Sequence, residues 1–109
     1  MTRVLVTGAS GYIGSVLTDY LARHGIDCVG YDPGFFRPCL LYSPSSLATV
    51  PRDARDITEA DLGGIDAVVH LAGISNDPMG KLDAAQIYDP TRIYSLEIAK
   101  RCKRLGVKF

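Results

Sequence analysis

The sequence predicts an α/β fold in which a parallel β-sheet carries helices on both faces. Short apolar, β-branched runs at Arg3–Val6 and Ile65–Ala72 are typical of strands that are buried on both faces. A helical repeat of apolar residues begins at Tyr12, within the glycine-rich segment Gly8–Gly14. Strand patterns that alternate with helical patterns predict βαβ units, and therefore parallel strands joined by right-handed crossovers.

The composition of the 109-residue chain limits its size and its partners. One domain fits this length, whereas a second full domain does not. The 12 Lys and Arg residues balance the 12 Asp and Glu residues, so no net field favours nucleic acid or an anionic membrane. No stretch approaches the ~18 apolar residues of a membrane span, and no secretory leader pattern is present. We therefore expect a cytoplasmic protein that binds neither nucleic acid nor membrane.

The cysteines and histidines do not follow a disulfide or metal-binding pattern. Cys28, Cys39 and Cys102 are odd in number and lack a C-x-x-C spacing, which favours reduced thiols. His24 falls at a helix end, His70 falls in a buried-strand pattern, and neither has a ligand partner at useful spacing. We therefore predict no metal site and assign structural roles to both histidines.

The first strand, helix and second strand form the most regular part of the pattern. After the strand at Arg3–Val6, five apolar residues recur at helical spacing on one face: Ile13, Val16, Leu17, Tyr20 and Leu21. Gly25 stands where a helix C-cap belongs. A second strand is predicted over Asp27–Tyr31, and the turn residues 32–34 end it.

The middle of the chain carries weaker signals. Prolines and a serine-rich centre break every period between Phe35 and Arg52, so this segment is predicted to be mostly loop, with a short third strand over Leu47–Val50. The run Thr58–Leu62 predicts a short helix that begins with a Thr58 cap and ends at two glycines. The next segment, Ile65–Ala72, is the strongest strand signal in the chain.

The last third predicts one long helix and the start of a fifth strand. A helical pattern covers Lys81–Leu105, and Pro90 is expected to interrupt it. A basic cluster suits the helix C-terminus, Gly106 ends the helix, and Val107–Phe109 begins another strand. The most economical architecture is a Rossmann-like sheet in the order 3-2-1-4, incomplete after the start of strand five. Strands one and four then meet at the switch point where such sheets bind ligands.

The glycine turn and the end of the second strand supply a dinucleotide-binding pattern. In such a turn the first glycine allows the bend, the second lets backbone approach a pyrophosphate, and the third packs helix against strand. Helix amides and the helix dipole face the phosphate charge. Asp32, 18 residues after Gly14, can accept both ribose hydroxyls and repel a 2′-phosphate, which favours NAD over NADP. Arg37 keeps NADP as the less favoured alternative, and a structural turn that binds nothing stays open.

Five ordered segments resemble the extended short-chain dehydrogenase/reductase family, whose NAD-dependent epimerases and dehydratases act on nucleotide sugars. The run VTGASGYIG has that family's G-x-x-G-x-x-G spacing, which differs from G-x-G-x-x-G. The segment 55–57 resembles the family's adenine-contacting Asp–hydrophobic pair, and 70–73 (HLAG) resembles its fourth-strand signature. The segment 75–80 (SNDPMG) is similar to one branch of these proteins, and 105–109 to the lead into their fifth strand. The resemblance covers essentially the whole chain.

The resemblance implies a cofactor site for NAD. Along the chain, it implies the pyrophosphate contacts Gly8, Ser10, Gly11, Tyr12, Ile13 and Gly14, the ribose contact Asp32, the adenine contacts Asp56 and Ile57, and the nicotinamide-ribose contacts Leu71, Ala72 and Gly73. Taken singly, Asp56 fits equally well as a helix N-terminal charge, and Leu71 and Ala72 as core residues. The ordered set is what favours the family interpretation.

The family's catalytic pair is not found among these residues. The resemblance implies hydride transfer with a Tyr-x-x-x-Lys pair, in which the lysine lowers the pKa of the tyrosine. Four residues after the six tyrosines stand Val16, His24, Phe35, Ser46, Arg92 and Ile98. The family places the pair after its fifth strand, beyond Phe109, so no catalytic residue is assigned. Thr91 stands where the family usually has an asparagine.

The resemblance therefore implies that residues 1–109 are the N-terminal, NAD-binding segment of a longer nucleotide-sugar epimerase or dehydratase, whose substrate lobe lies outside this chain. The alternatives are a catalytically inactive NAD-binding module, a half-domain completed by a partner chain, and a scaffold without ligand. The strand near Val69 reads as central but has little after it to pair with. We therefore expect a homo-oligomer or completion by a further chain segment. The reaction type and the sugar are not set by these residues.

Overall fold

A four-stranded parallel sheet with a helix on each face is the centre of the fold, as the sequence predicts. A computed structural model describes residues 2–34, 49–73 and 84–109. Its strands are β1 (Arg3–Thr7), β2 (Asp27–Tyr31), β3 (Thr49–Val50) and β4 (Ala67–His70), and its helices are α1 (Tyr12–Arg23) and α2 (Ala84–Leu105). The strand order is β3-β2-β1-β4 and each pair is parallel, which confirms the predicted order.

The C-terminal residues begin a fifth strand beside β4. Lys108 forms a parallel bridge with Ala67. The Val68 N–H donates to the Lys108 carbonyl at 2.8 Å, and the Lys108 N–H donates to the Asp66 carbonyl at 3.0 Å. The predicted start of a strand at Val107 is therefore confirmed. The outer edge of β4 was expected to lack a neighbour. This expectation is wrong at the first residue of the strand, Ala67, which pairs with Lys108.

Alternate residues of β1 divide the core into two halves. Leu5 lies in one cluster with Ile98 and Cys102 of α2. Val6 lies in a second cluster, on the opposite face, with Leu17 of α1 packed against it. Successive side chains of a strand point to opposite faces, so one strand supplies both halves. Leu5 and Val6 are both fully buried.

The buried face of α1 is turned relative to the predicted one. Its buried residues are Gly14 and Thr18, whereas Ile13, Val16 and Tyr20 are exposed. The missing side chain of Gly14 lets the first turn of the helix lie directly against the preceding loop, which rotates the apolar stripe partly into solvent. The predicted cap glycine after the helix has a φ of +69°, as a left-handed C-cap requires.

The predicted helix over Thr58–Leu62 is wrong, because this segment forms successive turns. The Asp61 carboxylate accepts the Thr58 N–H at 2.7 Å and the Thr58 hydroxyl at 2.9 Å. Thr58, the predicted cap residue, thus donates to the Asp61 side chain and does not accept a backbone amide. A 3-10 helix lies earlier, over Ala54–Asp56, and the Asp53 carboxylate caps it by accepting the Arg55 N–H.

The long helix α2 continues through Pro90, so the predicted interruption is wrong. A proline inside a helix removes one backbone hydrogen bond and crowds the preceding turn. The later turns are fixed independently, because Ile98 and Cys102 are buried in the core. Gly106, with a φ of +71°, ends the helix as predicted.

Some predictions lie outside the described residues. They concern the loop before Thr49, including Arg37 and Cys39, and the segment 74–83 before α2.

Cys28 and Cys102 are free and buried, as predicted for reduced thiols. Burial, with a contribution from the Asp27 charge, raises the pKa of Cys28 to about 11. Within the described ranges, no helix is both long and apolar enough to cross a membrane.

Candidate functional site

The turn between β1 and α1 lies at the carboxyl edge of the sheet, between the ends of β2 and β4. The Gly8 N–H donates to the Tyr31 carbonyl at 2.9 Å, which ties the turn to β2. Gly8 has a φ of +69°, and a Cβ at this position would lie 2.9 Å from the carbonyl carbon of Leu71. Only glycine fits this combination of a left-handed backbone and a close backbone approach.

The start of α1 is seated against the same turn. A Cβ at Gly14 would lie 2.1 Å from the Gly8 carbonyl oxygen, so the helix touches the turn through bare backbone. Gly11 is the N-cap residue and supplies no side-chain capping bond, and the first turn of α1 contains no acidic residue. The positive end of the helix dipole is therefore free of a competing side chain, an arrangement that favours a bound anion.

Asp32 joins the end of β2 to the glycine turn. Its side chain is buried, with a residue exposure of 7%. One carboxylate oxygen accepts the Ser10 N–H at 3.1 Å, and the other accepts the Gly34 N–H at 2.7 Å. An ionised carboxylate offers roughly four acceptor positions. Two of the Asp32 positions are thus used by backbone, and two can accept hydroxyl groups of a ligand.

Asp56 and Ile57 lie after β3, two strands away from β1. Asp56 is exposed, and its carbonyl accepts from the Arg52 guanidinium at 2.6 Å. The Ile57 side chain is 1% exposed and belongs to the core beneath α2. Its carbonyl accepts from Arg101 at 2.5 Å. Any contact of Ile57 with an adenine ring would therefore involve the backbone, and the adenine role of this pair stays a prediction.

The residues after β4 approach the turn from the other side. The Leu71 N–H donates to the Thr7 hydroxyl at 3.1 Å, and the Ala72 N–H donates to the same oxygen at 3.2 Å. A Cβ at Gly73 would lie 3.3 Å from a methyl group of Thr91, which places α2 beside this segment. The structure therefore brings the segment 71–73 to the same edge as the glycine turn and Asp32.

The side chains of Tyr12 and Ile13 lie in the first turn of α1 and point into solvent, with exposures of 86% and 63%. The structure thus places their backbone at the edge of the turn without burying their side chains.

His24 is also exposed at the end of α1, where its Nδ1 lies 2.8 Å from the Tyr20 carbonyl oxygen. Among the described residues, no three potential metal ligands lie together.

Sequence reasoning missed a chain of side-chain hydrogen bonds behind the site. The Thr7 hydroxyl lies 2.7 Å from Nδ1 of His70, and Nε2 of His70 lies 3.0 Å from the Ser95 hydroxyl. Thr7 is fully buried, and burial also lowers the pKa of His70. A signal for this pairing existed, because Thr7 and His70 end two strands that were predicted to be neighbours. Their partner Ser95 had no comparable signal.

Comparison with known proteins finds a family and a curated relative. The NAD dependent epimerase/dehydratase family matches residues 4–109. A UDP-glucose 4-epimerase from Corynebacterium glutamicum is 37% identical over 82 residues, which cover 67% of this chain and 22% of the relative.

Solved structures with the same fold are about three times as long as this chain. An NAD-dependent NDP-hexosamine 5,6-dehydratase involved in tunicamycin biosynthesis has a TM-score of 0.81 at 23% identity, over 98% of this chain and 35% of its own. The UDP-glucose 4-epimerase of Thermus thermophilus, in complex with NAD, has a TM-score of 0.76 at 23% identity, over 97% and 35%. The enzyme from Stenotrophomonas maltophila, with bound NAD and formylated UDP-arabinopyranose, has a TM-score of 0.77 at 27% identity, over 98% and 35%.

Proposed function

Because this chain belongs to the NAD dependent epimerase/dehydratase family, we propose that residues 1–109 form the NAD-binding segment of an NAD-dependent nucleotide-sugar epimerase or dehydratase. The observation that carries the proposal is the meeting of three features at one sheet edge. These are the glycine turn, the uncapped start of α1 and the buried Asp32 carboxylate. Similar epimerases of known structure are described as complexes with NAD, which supports the choice of cofactor.

The residues at this edge suit the parts of a dinucleotide. The pyrophosphate would be held by the turn and the start of α1. The amides of Tyr12, Ile13 and Gly14 would donate to it, and Gly8, Ser10 and Gly11 would shape the turn around it, because their own amides already donate within the chain. Asp32 would accept the adenosine ribose hydroxyls, Asp56 and Ile57 would contact the adenine, and Leu71, Ala72 and Gly73 would line the nicotinamide ribose. NAD, when bound, supplies a ring that accepts and returns a hydride. The chain's own residues bind and orient that ring.

The preference for NAD over NADP follows from the surroundings of Asp32. Its carboxylate is buried and already accepts two backbone amides, which fixes its position. A 2′-phosphate on the ribose would place like charges side by side in a partly desolvated site, which is unfavourable. A ribose with two free hydroxyls would instead donate to the remaining acceptor positions of the carboxylate.

The rest of the proposed enzyme lies outside these residues. The chain spans about a third of the length of the solved relatives, because the matched part covers 35% of each of them. We therefore place the catalytic groups and the nucleotide-sugar contacts in a further segment of a longer chain or in a partner chain, and we assign no catalytic residue here. The two buried free thiols support a reducing compartment, such as the cytoplasm.

A second candidate is a module that binds NAD without catalysis. The sequence agrees with it, because no tyrosine within residues 1–109 is followed four residues later by a lysine, a pair that the first candidate places beyond Phe109. Both candidates require NAD binding and differ in hydride transfer. The test adds UDP-sugars to the longer chain, or to the complex with the partner chain. Appearance of NADH absorbance would favour the enzyme, whereas NAD binding without any turnover would favour the module.

Calorimetric titration with NAD and NADP tests the binding that both candidates share. We expect the chain to bind NAD and to bind NADP at least about 10-fold more weakly. The variant Asp32→Asn should lose about 10-fold in NAD affinity, because one charged acceptor for the ribose is removed. Asp19→Asn is the matched control, since Asp19 lies on α1 and pairs with Arg23 at 2.9 Å. No binding of NAD would refute the proposal, and tighter NADP binding would refute the role of Asp32.

A further inference from the structure

The hydrogens around Thr7 can be assigned from its partners. Its hydroxyl oxygen accepts two backbone amides, from Leu71 at 3.1 Å and from Ala72 at 3.2 Å. A hydroxyl has one hydrogen and two acceptor lone pairs, so both lone pairs are occupied. The remaining partner is Nδ1 of His70 at 2.7 Å, which must therefore accept the hydroxyl hydrogen. Nδ1 of His70 carries no proton.

The opposite side of the ring gives the same answer independently. The Ser95 hydroxyl donates its only hydrogen to the Thr91 carbonyl at 2.6 Å. Its oxygen lies 3.0 Å from Nε2 of His70, so Nε2 must donate to it. Both ends of the chain of hydrogen bonds thus require neutral His70 with its proton on Nε2. The donors then run in one direction, from Thr7 through His70 to Ser95, without conflict.

We propose that His70 is a positioning residue for the cofactor site, which fixes the Thr7 hydroxyl so that it holds the Leu71 and Ala72 amides against the glycine turn. The proposal rests on the function proposed above for its effect on NAD. Without an acceptor at Nδ1, the Thr7 hydroxyl hydrogen would have to point toward the two amides, which are donors themselves. This anchor would then weaken, because the Ala72 amide would lose its acceptor and the Leu71 amide would keep only its bond to the Thr7 carbonyl at 3.2 Å.

Protonation of His70 should release the same anchor. A hydrogen on Nδ1 would face the Thr7 oxygen, whose lone pairs are already used. Among the described residues, the ring meets Thr7 of β1, Ser95 of α2 and the Phe109 ring, whose centroid lies 6.0 Å away. None of these groups is ionisable, and burial is what lowers the His70 pKa below 6.5. The anchor should therefore hold above pH 6.5 and weaken as the pH falls through that lower pKa.

The protonation state itself is measurable in the 109-residue chain without any cofactor. Two-bond ¹H–¹⁵N correlations of ¹⁵N-labelled histidine distinguish the two neutral tautomers. We expect His70 to show the Nε2–H pattern at pH 7.5, and slow amide exchange at Ala72, whose amide donates to the Thr7 hydroxyl. An Nδ1–H tautomer, or an imidazolium at this pH, would overturn the assignment even if every variant failed to fold.

Three substitutions separate positioning from packing. His70→Asn keeps an acceptor at the δ position toward Thr7, His70→Gln keeps only a donor at the ε position toward Ser95, and His70→Phe keeps neither. We expect His70→Asn to bind NAD within about 3-fold of the parent, and the other two to bind about 10-fold more weakly. NAD affinity of the parent should fall as the pH is lowered below 6.5, through the lowered pKa of His70, whereas that of His70→Asn should not. Val4→Ala, in the other core cluster and near the start of β1, away from the glycine turn, should lower the melting temperature without changing affinity.

The outcomes distinguish this inference from the function on which it rests. Equal NAD affinity and equal pH dependence in the parent and all three variants would overturn the role of His70 and leave the NAD site standing. Failure of the parent to bind NAD would instead refute the proposed function. In that case the tautomer and the Ala72 exchange rate still decide whether His70 positions this segment through the Thr7 hydroxyl.

Discussion

At the scale of single residues, the glycine turn is defined by backbone contacts so close that they leave no room for a side chain. Gly8 needs both its left-handed backbone and its close approach to Leu71, and Gly14 needs the space that a Cβ would fill. The sequence predicted the roles of these two glycines, because turn and packing requirements are local. It could not predict that Asp32 also accepts the Ser10 and Gly34 amides, because hydrogen-bond partners depend on the folded loop.

Gly14→Ala should destabilise the chain even though alanine favours helices. The new methyl group would start 2.1 Å from the Gly8 carbonyl oxygen, so α1 must shift away from the turn. Overpacking of this kind costs about 1–3 kcal/mol, which outweighs the gain of ~1 kcal/mol in helix propensity. Urea unfolding followed by circular dichroism measures the change.

Ser15→Ala provides the control for this substitution, because it improves helix propensity at the next position of α1. The Ser15 hydroxyl donates to the Tyr12 carbonyl at 3.1 Å within the same helix, so its removal should change stability by less than about 0.5 kcal/mol. If Gly14→Ala were as stable as Ser15→Ala, the close contact between helix and turn would be contradicted.

At the scale of elements, the periodic segments were predictable and the irregular one was not. The strands, α1 and the C-terminal end of α2 follow apolar periodicity and glycine caps, which are local signals. The segment between β3 and β4 instead depends on Asp61, which accepts from Tyr31, Arg52 and Thr58. Tyr31 lies 30 residues and Arg52 nine residues before Asp61. Both lie outside the predicted helix, so a local capping rule predicted a helix where the structure has turns.

The same carboxylate gives this segment a dependence on pH. Burial alone would raise the pKa of Asp61, but the hydrogen bonds from Thr58 and Tyr31, and the charge of Arg52, outweigh burial and lower it below 3.8. A carboxyl group whose pKa is lower in the folded state than in the unfolded state stabilises the fold at every pH above its unfolded-state pKa. That contribution is lost as the pH falls below 3.8 through the lower pKa of the folded state.

Asp61→Asn should therefore cost about 1–3 kcal/mol at pH 7, because an uncharged amide accepts fewer of these bonds. The difference in unfolding free energy between parent and variant should shrink as the pH is lowered from 5 to 3. Glu97→Gln is the control, since Glu97 lies 3.4 Å from Lys100 in an exposed pair. Its effect should stay within about 0.5 kcal/mol. A pH-independent gap for Asp61→Asn would contradict the stated cause.

At the scale of the whole molecule, the order of the strands followed from the sequence, but the division of the core did not. Strand and helix patterns in alternation leave few parallel topologies, and the order β3-β2-β1-β4 is the economical one. The unequal halves arise from packing. Counted over the described residues, the cluster beneath α2 contains ten buried residues and the cluster beneath α1 contains four.

This asymmetry predicts where the chain tolerates the loss of an apolar side chain. Leu5 is fully buried in the larger cluster, so Leu5→Ala should leave a cavity and cost about 2–5 kcal/mol. Val16 is 51% exposed on α1, so Val16→Ala removes little buried surface and should cost less than about 1 kcal/mol. A domain of this size is stable by only about 5–15 kcal/mol, so the first substitution removes a large share of its stability. Urea unfolding of the two variants side by side measures the contrast, and equal losses would show that α1 packs through Val16 more tightly than its exposure indicates.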